Sequence, residues 1–328
     1  MKTIRWGIIG CGDVCEIKSG PGFYKADHSS LVAVMRRNGA LAEDFARRHG
    51  VPRWHDDAEA IITASDIDVV YVATPPVSHK EYALRCARAG KPVYVEKPMA
   101  MTAGECAEML AAAHAHQVPL WVGYYRRALP RFVKLKALLD DGAIGHVRAV
   151  TVTQRTPLIV PEGGALPWRI DPAVNGGGLF FDLGCHTLDI LDFLLGPIAE
   201  AKGFAANLGR AYAAEDTVVA ALRFACGVHG TASWNFAAAD DFEMNEIAGA
   251  HGRLQFSTYT PSPIRLLRGD KVEEFAVGDP PHVHQPLIQT IVDEMNGKGR
   301  CPSTGESAAR TARVMDALVA EFKAGRAS

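Results

Sequence analysis

Short apolar runs alternate with amphipathic segments along the first third of the chain. Between the runs, apolar residues recur every three or four positions, as they do along one face of a helix. The run "DVVYVAT" is apolar at successive positions, which is typical of a strand that is buried on both faces. The alternation predicts a parallel, doubly wound sheet in residues 1–122, with strands in residues 3–9, 31–35, 68–74 and 92–98 and a fifth strand from residue 119.

After about residue 124 the pattern changes to the alternation of apolar and polar residues that half-buried strands show. It is clearest in "HVRAVTVTQRT", "DTVVAALRFACGVHGTASWNF" and "PIRLLRGDKVEEFAV". Helical patterns accompany these strands in residues 129–142, 179–195 and 303–327. We therefore predict a second domain in residues 123–328, with an α+β fold and a large open, mainly antiparallel sheet.

Composition narrows the classes of function. Hydrophobic residues make up 48% of the 328 residues and the formal net charge is −2, so a large core can form and no nucleic-acid partner is expected. The apolar runs are shorter than the roughly 18 residues of a membrane span, so no membrane association is expected. The seven cysteines have scattered spacings, which favours the reducing cytoplasm and predicts no metal site.

The stretch "GIIGCGDVCEIKSG" joins the first strand to the first helix. In such a unit Gly10 permits the tight turn, and Gly12 lets the backbone approach a pyrophosphate at the helix start, where Asp13 and Val14 follow. Cys15 stands where a third glycine is usual, but its side chain is compact and apolar. The stretch predicts a dinucleotide site, and the alternative is an ordinary glycine turn.

The end of the second strand reads "LVAVMRRN", without the acidic residue that would bind the ribose hydroxyls of NAD. Arg36 and Arg37 occupy those positions. Guanidinium groups pair with phosphate and stack on aromatic bases, so NADP(H) is the expected cofactor, with NAD(H) possible. The alternative is that both arginines are only solvated.

Candidate chemistry lies in two further segments. Lys97, in "VYVEKPMA", follows the fourth strand, and ligands bind at the carboxyl ends of such strands. In "NGGGLFFDLGCHTLDILDFLLGP", regular helical spacing puts Asp182, His186 and Asp189 on one stripe, where histidine could exchange a hydroxyl proton. The alternatives are a surface lysine and a ladder of surface or capped core side chains.

The glycine loop, "EKP" and "GGGLFFDLGCHTLD" occur in an order and at a spacing that resemble the Gfo/Idh/MocA family of oxidoreductases over nearly the whole chain. The resemblance implies a Rossmann dinucleotide-binding domain followed by an open-sheet domain. It also implies hydride transfer between NAD(P) and sugars, polyols or related carbonyl compounds. Whether the Lys97–Pro98 bond is cis, as it often is in relatives, stays open.

The resemblance assigns roles to individual residues. It makes His186 the general acid/base, Asp182 its partner, and Lys97 a contact of both substrate and cofactor, so we expect the lysine and the histidine to converge on one substrate oxygen. Tyr125 and Arg126 would line the substrate cleft. Further cofactor contacts are expected at Thr74, Pro75, His79, Glu96, Trp168 and Arg169.

The sequence thus predicts an NADP-dependent dehydrogenase or reductase of a sugar-like substrate, assembled as a homodimer or homotetramer. The alternatives are an NAD-linked glycoside-cleaving enzyme of the same family and a non-catalytic NADP-binding sensor. Substrate choice is expected to depend on Trp234, Asn235 and the loop at residues 155–164. The sugar itself and the physiological direction are not predicted.

Overall fold

The computed structural model describes residues 1–160 and 166–327; residues 161–164 of the expected substrate loop therefore lie outside the described residues. The chain folds into two compact units. The first contains Met1–Leu129 and Pro280–Ala309, and the second contains Pro130–Asp279 and Arg310–Ser328. A single boundary between residues 122 and 123 does not describe these units, because residues 280–309 return to the first.

The first unit contains a six-stranded sheet in which every pair of neighbouring strands is parallel. Its strands are β1 (Ile4–Ile9), β2 (Ser29–Met35), β3 (Arg53–His55), β4 (Val69–Val72), β5 (Val93–Val95) and β6 (Leu120–Val122). The helices between them are α1 (Asp13–Ile17), α2 (Gly22–Lys25), α3 (Gly39–His49), α4 (Glu59–Ile62), α5 (His79–Arg88) and α6 (Ala103–Ala115). The order β3-β2-β1-β4-β5-β6 starts in the middle of the sheet and proceeds outward both ways, which is the doubly wound Rossmann arrangement.

In its described residues, the second unit contains an eight-stranded sheet and three α-helices before the chain returns to the first unit. Its strands are β7 (Val147–Pro157), β8 (Ile198–Ala206), β9 (Thr217–Phe224), β10 (His229–Ala238), β11 (Phe242–Gly249), β12 (Arg253–Phe256), β13 (Ile264–Arg268) and β14 (Lys271–Phe275). The helices are α7 (Pro130–Asp140), α8 (Pro172–Asn175) and α9 (Cys185–Leu195). The order is β14-β13-β12-β11-β7-β10-β9-β8, and only β7 and β10 pair in parallel, so the predicted fold class is confirmed.

The last two helices are α10 (Gln285–Met295) and α11 (Gly305–Ala327), and α10 belongs to the first unit. Its apolar face, made by Leu287, Ile288, Ile291 and Val292, joins the core that contains the strand residues of β1 and β4. Each of these side chains is fully buried, and burial of one such side chain contributes roughly 1.5–3 kcal/mol. The sequence patterns above predict neither α10 nor strand β8.

The predicted helix over residues 179–195 is not continuous. Phe180–Gly184 forms a π-turn, and the regular helix begins only at Cys185. A side chain at Gly184 would place its Cβ 2.4 Å from the ring of Phe180, so glycine leaves the space that this ring occupies. The assumption of one regular helix through Asp182 and His186 was therefore wrong, and no residue of the Phe180–Leu195 segment is largely exposed.

Among the described residues, no helix combines the length and the apolar composition required to cross a membrane.

Candidate active site

The glycine loop between β1 and α1 has no room for a side chain at Gly10, and at Gly12 the missing side chain leaves the backbone open to a ligand. Gly10 has φ +89°, and a Cβ there would lie 2.8 Å from the Thr74 methyl group and 3.0 Å from the Thr74 amide nitrogen. At Gly12, which precedes α1, the nearest atom to a Cβ would be 3.9 Å away. Asp13 and Val14 follow as the first residues of α1, whose early amides have no carbonyl partner within the helix. The loop therefore fits close approach by a pyrophosphate.

Cys15 takes the place of the third glycine without opening the loop. Its side chain is completely buried, and its Sγ lies 4.0 Å from the carbonyl oxygen of Gly10. Burial raises the pKa of the Cys15 thiol strongly, so the group stays neutral. A Cβ at Gly20 would lie only 2.0 Å from the carbonyl oxygen of Cys15, so the chain returning from α1 also needs glycine.

Arg36 and Arg37 lie directly after β2, as predicted. Arg36 is half-buried and Arg37 is exposed, while Asn38 accepts a hydrogen bond from the amide of Leu41 and so caps α3. Burial raises the pKa of Cys11 to about 11, and the positive charge of Arg36 opposes that increase. The Arg36 guanidinium is therefore close enough to the glycine loop to act on it electrostatically.

Thr74 and His79 connect the loop after β4 to its neighbours. The Thr74 hydroxyl oxygen is buried and has no hydrogen-bond partner among the described residues, whereas Pro75 is exposed. The ring nitrogens of buried His79 lie 2.7 Å from the Thr74 carbonyl oxygen and 3.0 Å from the Pro98 carbonyl oxygen. Burial lowers the pKa of His79. The imidazole thus lies between the Thr74 loop and the loop that carries Lys97, and in its neutral form it donates a hydrogen bond to one of the two carbonyl oxygens.

Lys97 follows β5 at the carboxyl end of the parallel sheet, and its peptide bond to Pro98 is cis. The preceding carboxylate, Glu96, is buried in the core. It accepts hydrogen bonds from the Tyr71 hydroxyl at 2.5 Å and from the Lys97 amide at 3.1 Å. Burial raises the pKa of Glu96. Glu96 therefore supports the lysine loop from the core side.

His284 completes this buried network from the returning segment. Its Nε2 lies 3.5 Å from the Glu96 carboxylate, and its Nδ1 lies 2.8 Å from the Tyr94 hydroxyl. Its ring lies 4.4 Å from the ring of Tyr125, whose hydroxyl accepts a hydrogen bond from Arg126. Burial, together with three nearby cations, lowers the pKa of His284 to about 3, so the ring is neutral. No sequence motif pointed to His284.

The second unit holds Asp182 and His186, both nearly inaccessible to solvent, and Asp189 one turn further on. Arg169 forms an ion pair with Asp182, with 3.3 Å between Nε and Oδ2, and its guanidinium also lies 4.7 Å from the ring centre of Trp168. Arg169 thus contacts both the Asp182 carboxylate and the Trp168 ring, and the sequence did not suggest its contact with Asp182.

A loop between β12 and β13, residues 257–260, packs beside His186. The ring of Tyr259 meets the imidazole edge-on, with 6.2 Å between ring centres, and its hydroxyl donates to the Leu183 carbonyl in the π-turn. Thr258 contacts Thr187 through their hydroxyl groups at 3.1 Å. Sequence reasoning missed this loop, because nothing in "QFSTYTP" resembles a catalytic motif.

The predicted site residues fall into two groups, each within one compact unit. The first unit holds the glycine loop and the residues Arg36, Arg37, Thr74, Pro75, His79, Glu96, Lys97, Tyr125 and Arg126. The second unit holds Trp168, Arg169, Asp182 and His186. In residues 1–160 and 166–327, no group of three or more His, Cys, Asp or Glu side chains is arranged to hold a metal ion.

Two family models match the chain. Residues 4–124 match the model described as an oxidoreductase family with an NAD-binding Rossmann fold. Residues 132–255 match the model of the GFO/IDH/MocA C-terminal domain. The two matches follow one another along the chain and account for most of its length.

Curated relatives include proteins of similar length. Oxidoreductase P35 of Formosa agariphila is 39% identical over 96% of this chain and 98% of its own. Inositol 2-dehydrogenase of Rhizobium meliloti is 31% identical over 82% and 80% of the two chains. The 1,5-anhydro-D-fructose reductase of Ensifer adhaerens is 27% identical over 99% and 98%.

Solved structures share the whole fold. Aldose-aldose oxidoreductase from Caulobacter crescentus, complexed with glycerol, is 25% identical with a TM-score of 0.86 over 99% of this chain and 98% of that one. A levoglucosan dehydrogenase complex with NADH and levoglucosan has a TM-score of 0.84 at 22% identity over 98% and 97%. KijD10, a 3-ketoreductase from Actinomadura kijaniata in complex with NADP, has a TM-score of 0.81 at 23% identity over 97% and 98%.

Proposed function

Because the chain belongs to the GFO/IDH/MocA family of NAD(P)-dependent oxidoreductases, which act on alcohols and carbonyl compounds, we propose that it interconverts a sugar or polyol and the corresponding carbonyl compound with NADP(H). The observations that carry this proposal are a glycine loop that fits close ligand approach and, in the second unit, the burial of the carboxyl group of Asp182 and the imidazole of His186. The relatives named for inositol and 1,5-anhydro-D-fructose support the substrate class.

The preference for NADP(H) is supported by the residues after β2. Arg36 is half-buried and acts electrostatically on Cys11 in the glycine loop, and Arg37 follows it. A guanidinium can pair with a 2′-phosphate through two parallel hydrogen bonds. An acidic residue, which would repel that phosphate, is absent from "MRRN".

This preference can be measured by titrating NADPH and NADH into the wild type and Arg36→Ala. A hydrogen bond to a charged group contributes about 1.5–3 kcal/mol, so the Kd for NADPH should rise by about 10- to 100-fold while that for NADH stays constant. Arg47→Ala is the matched control, because Arg47 is an exposed arginine of α3 paired with Asp44. Equal affinities for the two cofactors, unchanged in Arg36→Ala, would contradict the proposal.

His186 is the proposed general acid/base. A neutral imidazole accepts the proton of a substrate hydroxyl during oxidation, and the imidazolium returns it during reduction. Asp182 orients the imidazole, and Arg169 forms an ion pair with the Asp182 carboxylate. When bound, the nicotinamide accepts or supplies the hydride.

Lys97 is the proposed electrophilic group. Its ammonium stabilises the substrate oxygen as negative charge develops there during reaction. The loop that presents it is held by Glu96 from the core, and the buried His79 ring packs against it at the Pro98 carbonyl. This support fixes the loop on the sheet, which is what a charge acting on one oxygen atom requires.

Turnover is tested with NADPH and 1,5-anhydro-D-fructose, and with NADP and inositol or levoglucosan, the compounds for which similar proteins are named. With the substrate that the wild type converts, His186→Ala should lower kcat by about 10²–10⁴-fold and leave the Kd for NADPH unchanged. The control is His229→Ala, since His229 is exposed on β10. Full activity of His186→Ala would disprove the assignment.

A homodimer or homotetramer is proposed from the outer face of the eight-stranded sheet. Phe204 of β8 pairs with Val219 of β9, and their side chains are 73% and 40% exposed. A second copy of the chain would cover these apolar groups. Phe204→Lys should shift the mass measured by light scattering to that of a smaller species, whereas a wild type that is already monomeric would disprove the proposal.

The cytoplasm is the proposed compartment, because all seven cysteines are free thiols and six of them are buried.

A further inference from the structure

The segment that carries His186 begins irregularly, in the π-turn Phe180–Gly184. In a π-turn the backbone hydrogen bonds join residues five positions apart instead of four, and such turns often occur at functional sites. Leu183 lies inside this turn, and its carbonyl oxygen accepts a hydrogen bond from the Tyr259 hydroxyl. A side chain from a different element therefore contacts the backbone three residues before the histidine.

A second attachment lies on the other side of His186. The hydroxyl groups of Thr187 and Thr258 are 3.1 Å apart in a fully buried contact. The Tyr259 ring lies edge-on to the imidazole, at an interplanar angle of 78°. Tyr259 thus contacts both the backbone before His186 and the imidazole ring, and its neighbour Thr258 contacts the side chain of Thr187, which follows His186.

The loop that provides these contacts is itself held by two charged groups. The Glu243 carboxylate accepts hydrogen bonds from the Ser257 hydroxyl, from the Thr258 amide at 2.5 Å and from the Tyr259 amide at 3.1 Å. The loop carbonyl oxygens meet a buried guanidinium. Arg131 donates to the carbonyl oxygens of Ser257, Thr258 and Thr260 at 3.3, 2.9 and 2.9 Å. Charge-assisted bonds on both the amides and the carbonyls make the loop a rigid support.

We propose that Tyr259 is a positioning residue for the acid/base His186. Its hydroxyl holds the π-turn in register, and its ring restricts rotation of the imidazole, so that the histidine keeps one orientation relative to Asp182. The inference rests on the proposed function of His186, which it deepens by naming a residue outside the sequence motif. A misplacement of about 1 Å at a reacting group can lower the rate by about 10²-fold, so such support has kinetic consequences.

Tyr259→Phe is the decisive variant, because it removes the hydroxyl and keeps the ring. Tyr212→Phe is its matched control, since the Tyr212 hydroxyl is also buried in the second unit but has no hydrogen-bond partner among the described residues. With the substrate that the wild type converts, Tyr259→Phe should lower kcat by about ten-fold with little change in KM, whereas Tyr212→Phe should have the kcat and KM of the wild type.

A second measurement does not depend on turnover. In the ¹⁵N-histidine NMR spectrum of the full chain, the His186 signal is identified by its loss in His186→Asn. The titratable and charged groups beside His186 in this unit include Asp182 and Asp189 on its own segment, Arg169, which pairs with Asp182, and Tyr259, whose ring contacts the imidazole. Tyr259→Phe should displace the titration midpoint by about half a pH unit or more, because a freed ring samples other distances to Asp182.

Hydrogen exchange of the amides in residues 180–187 should also become faster in Tyr259→Phe and not in Tyr212→Phe. Thr187→Val, which removes the second attachment without leaving a cavity, should change the exchange and the titration in the same direction. Unchanged exchange and an unchanged His186 midpoint in Tyr259→Phe would overturn the inference. If instead both change while His186→Ala keeps full turnover, the support is real and the proposed function has failed.

Discussion

Replacing His284 by asparagine tests the buried network beneath the lysine loop. An asparagine keeps an acceptor for the Tyr94 hydroxyl, which lies 2.8 Å from Nδ1 of His284, but it cannot be protonated. The imidazole is fully enclosed and lies near the positive charges of Lys18, Lys97 and Arg126. A protonated ring would therefore be both desolvated and repelled.

The expected magnitude follows from the pKa values of the two states. The pKa of His284 falls from 6.5 in the unfolded chain to about 3 in the folded protein. As the pH decreases below 6.5, the unfolded chain takes up the proton first, so the stability present above pH 6.5 is lost toward pH 3. At 1.36 kcal/mol per pH unit, the full loss is about 5 kcal/mol, and about 3 kcal/mol of it should occur by pH 4.

Urea unfolding followed by tryptophan fluorescence at pH 7, 5 and 4 measures this loss. Titrating groups that do not contact His284 act equally in both proteins, so they cancel in the difference between the wild type and His284→Asn. At pH 7 the variant should be less stable, because it loses the ring contact with Tyr125. Between pH 7 and pH 4 the difference should shift by about 3 kcal/mol in favour of the variant. The control is His229→Asn, at an exposed site. If the stability difference between the wild type and His284→Asn changes with pH no more than the difference for this control does, the reasoning is refuted.

Two further substitutions give equally direct outcomes. Burial raises the pKa of Glu215 to about 7, so the wild type loses stability as the pH rises from 4.5 through 7. The side chain of Glu215→Gln still accepts a hydrogen bond from the Gly178 amide. In urea unfolding, this variant should therefore be more stable than the wild type by about 3 kcal/mol at pH 8, but not at pH 4.5. Gly20→Ala would place a Cβ 2.0 Å from the Cys15 carbonyl oxygen, so the glycine loop must shift and the Kd for NADPH should rise at least about ten-fold. Gly278→Ala, where no atom lies within 4 Å, should bind NADPH as the wild type does, and wild-type affinity in Gly20→Ala would disprove the account of the loop.

The elements that sequence reasoning predicts best are those whose signal is local. Strand β4 is a continuous apolar run, β1 and β2 are mostly apolar, and α3 ends at His49, just before Gly50, which has φ +65°. The glycine loop is equally local, because the positive φ at Gly10 and the start of α1 both follow from neighbouring residues. For these features the burial of each residue can be inferred from a window of about a dozen positions.

The features that sequence reasoning missed depend on contacts between distant residues. His284 is separated by 190 positions from the Tyr94 hydroxyl that it meets. Tyr259 is separated by 76 positions from Leu183, and the π-turn that this contact stabilises replaces the regular helix that periodicity predicted. A helical pattern shows which positions are apolar. It does not show that a hydroxyl from a distant loop, here that of Tyr259, will donate a hydrogen bond to a carbonyl oxygen of the helix.

The return of Pro280–Ala309 to the first unit affects how this protein folds during its synthesis on the ribosome. The nascent Rossmann sheet emerges first, yet the apolar surface that Leu287, Ile288 and Ile291 will cover stays open to water until translation has passed α10. During that interval the growing chain exposes a hydrophobic surface of the kind that chaperones bind. The half that is made first is therefore among the last to be completed, and its maturation is a late event in the synthesis of the polypeptide.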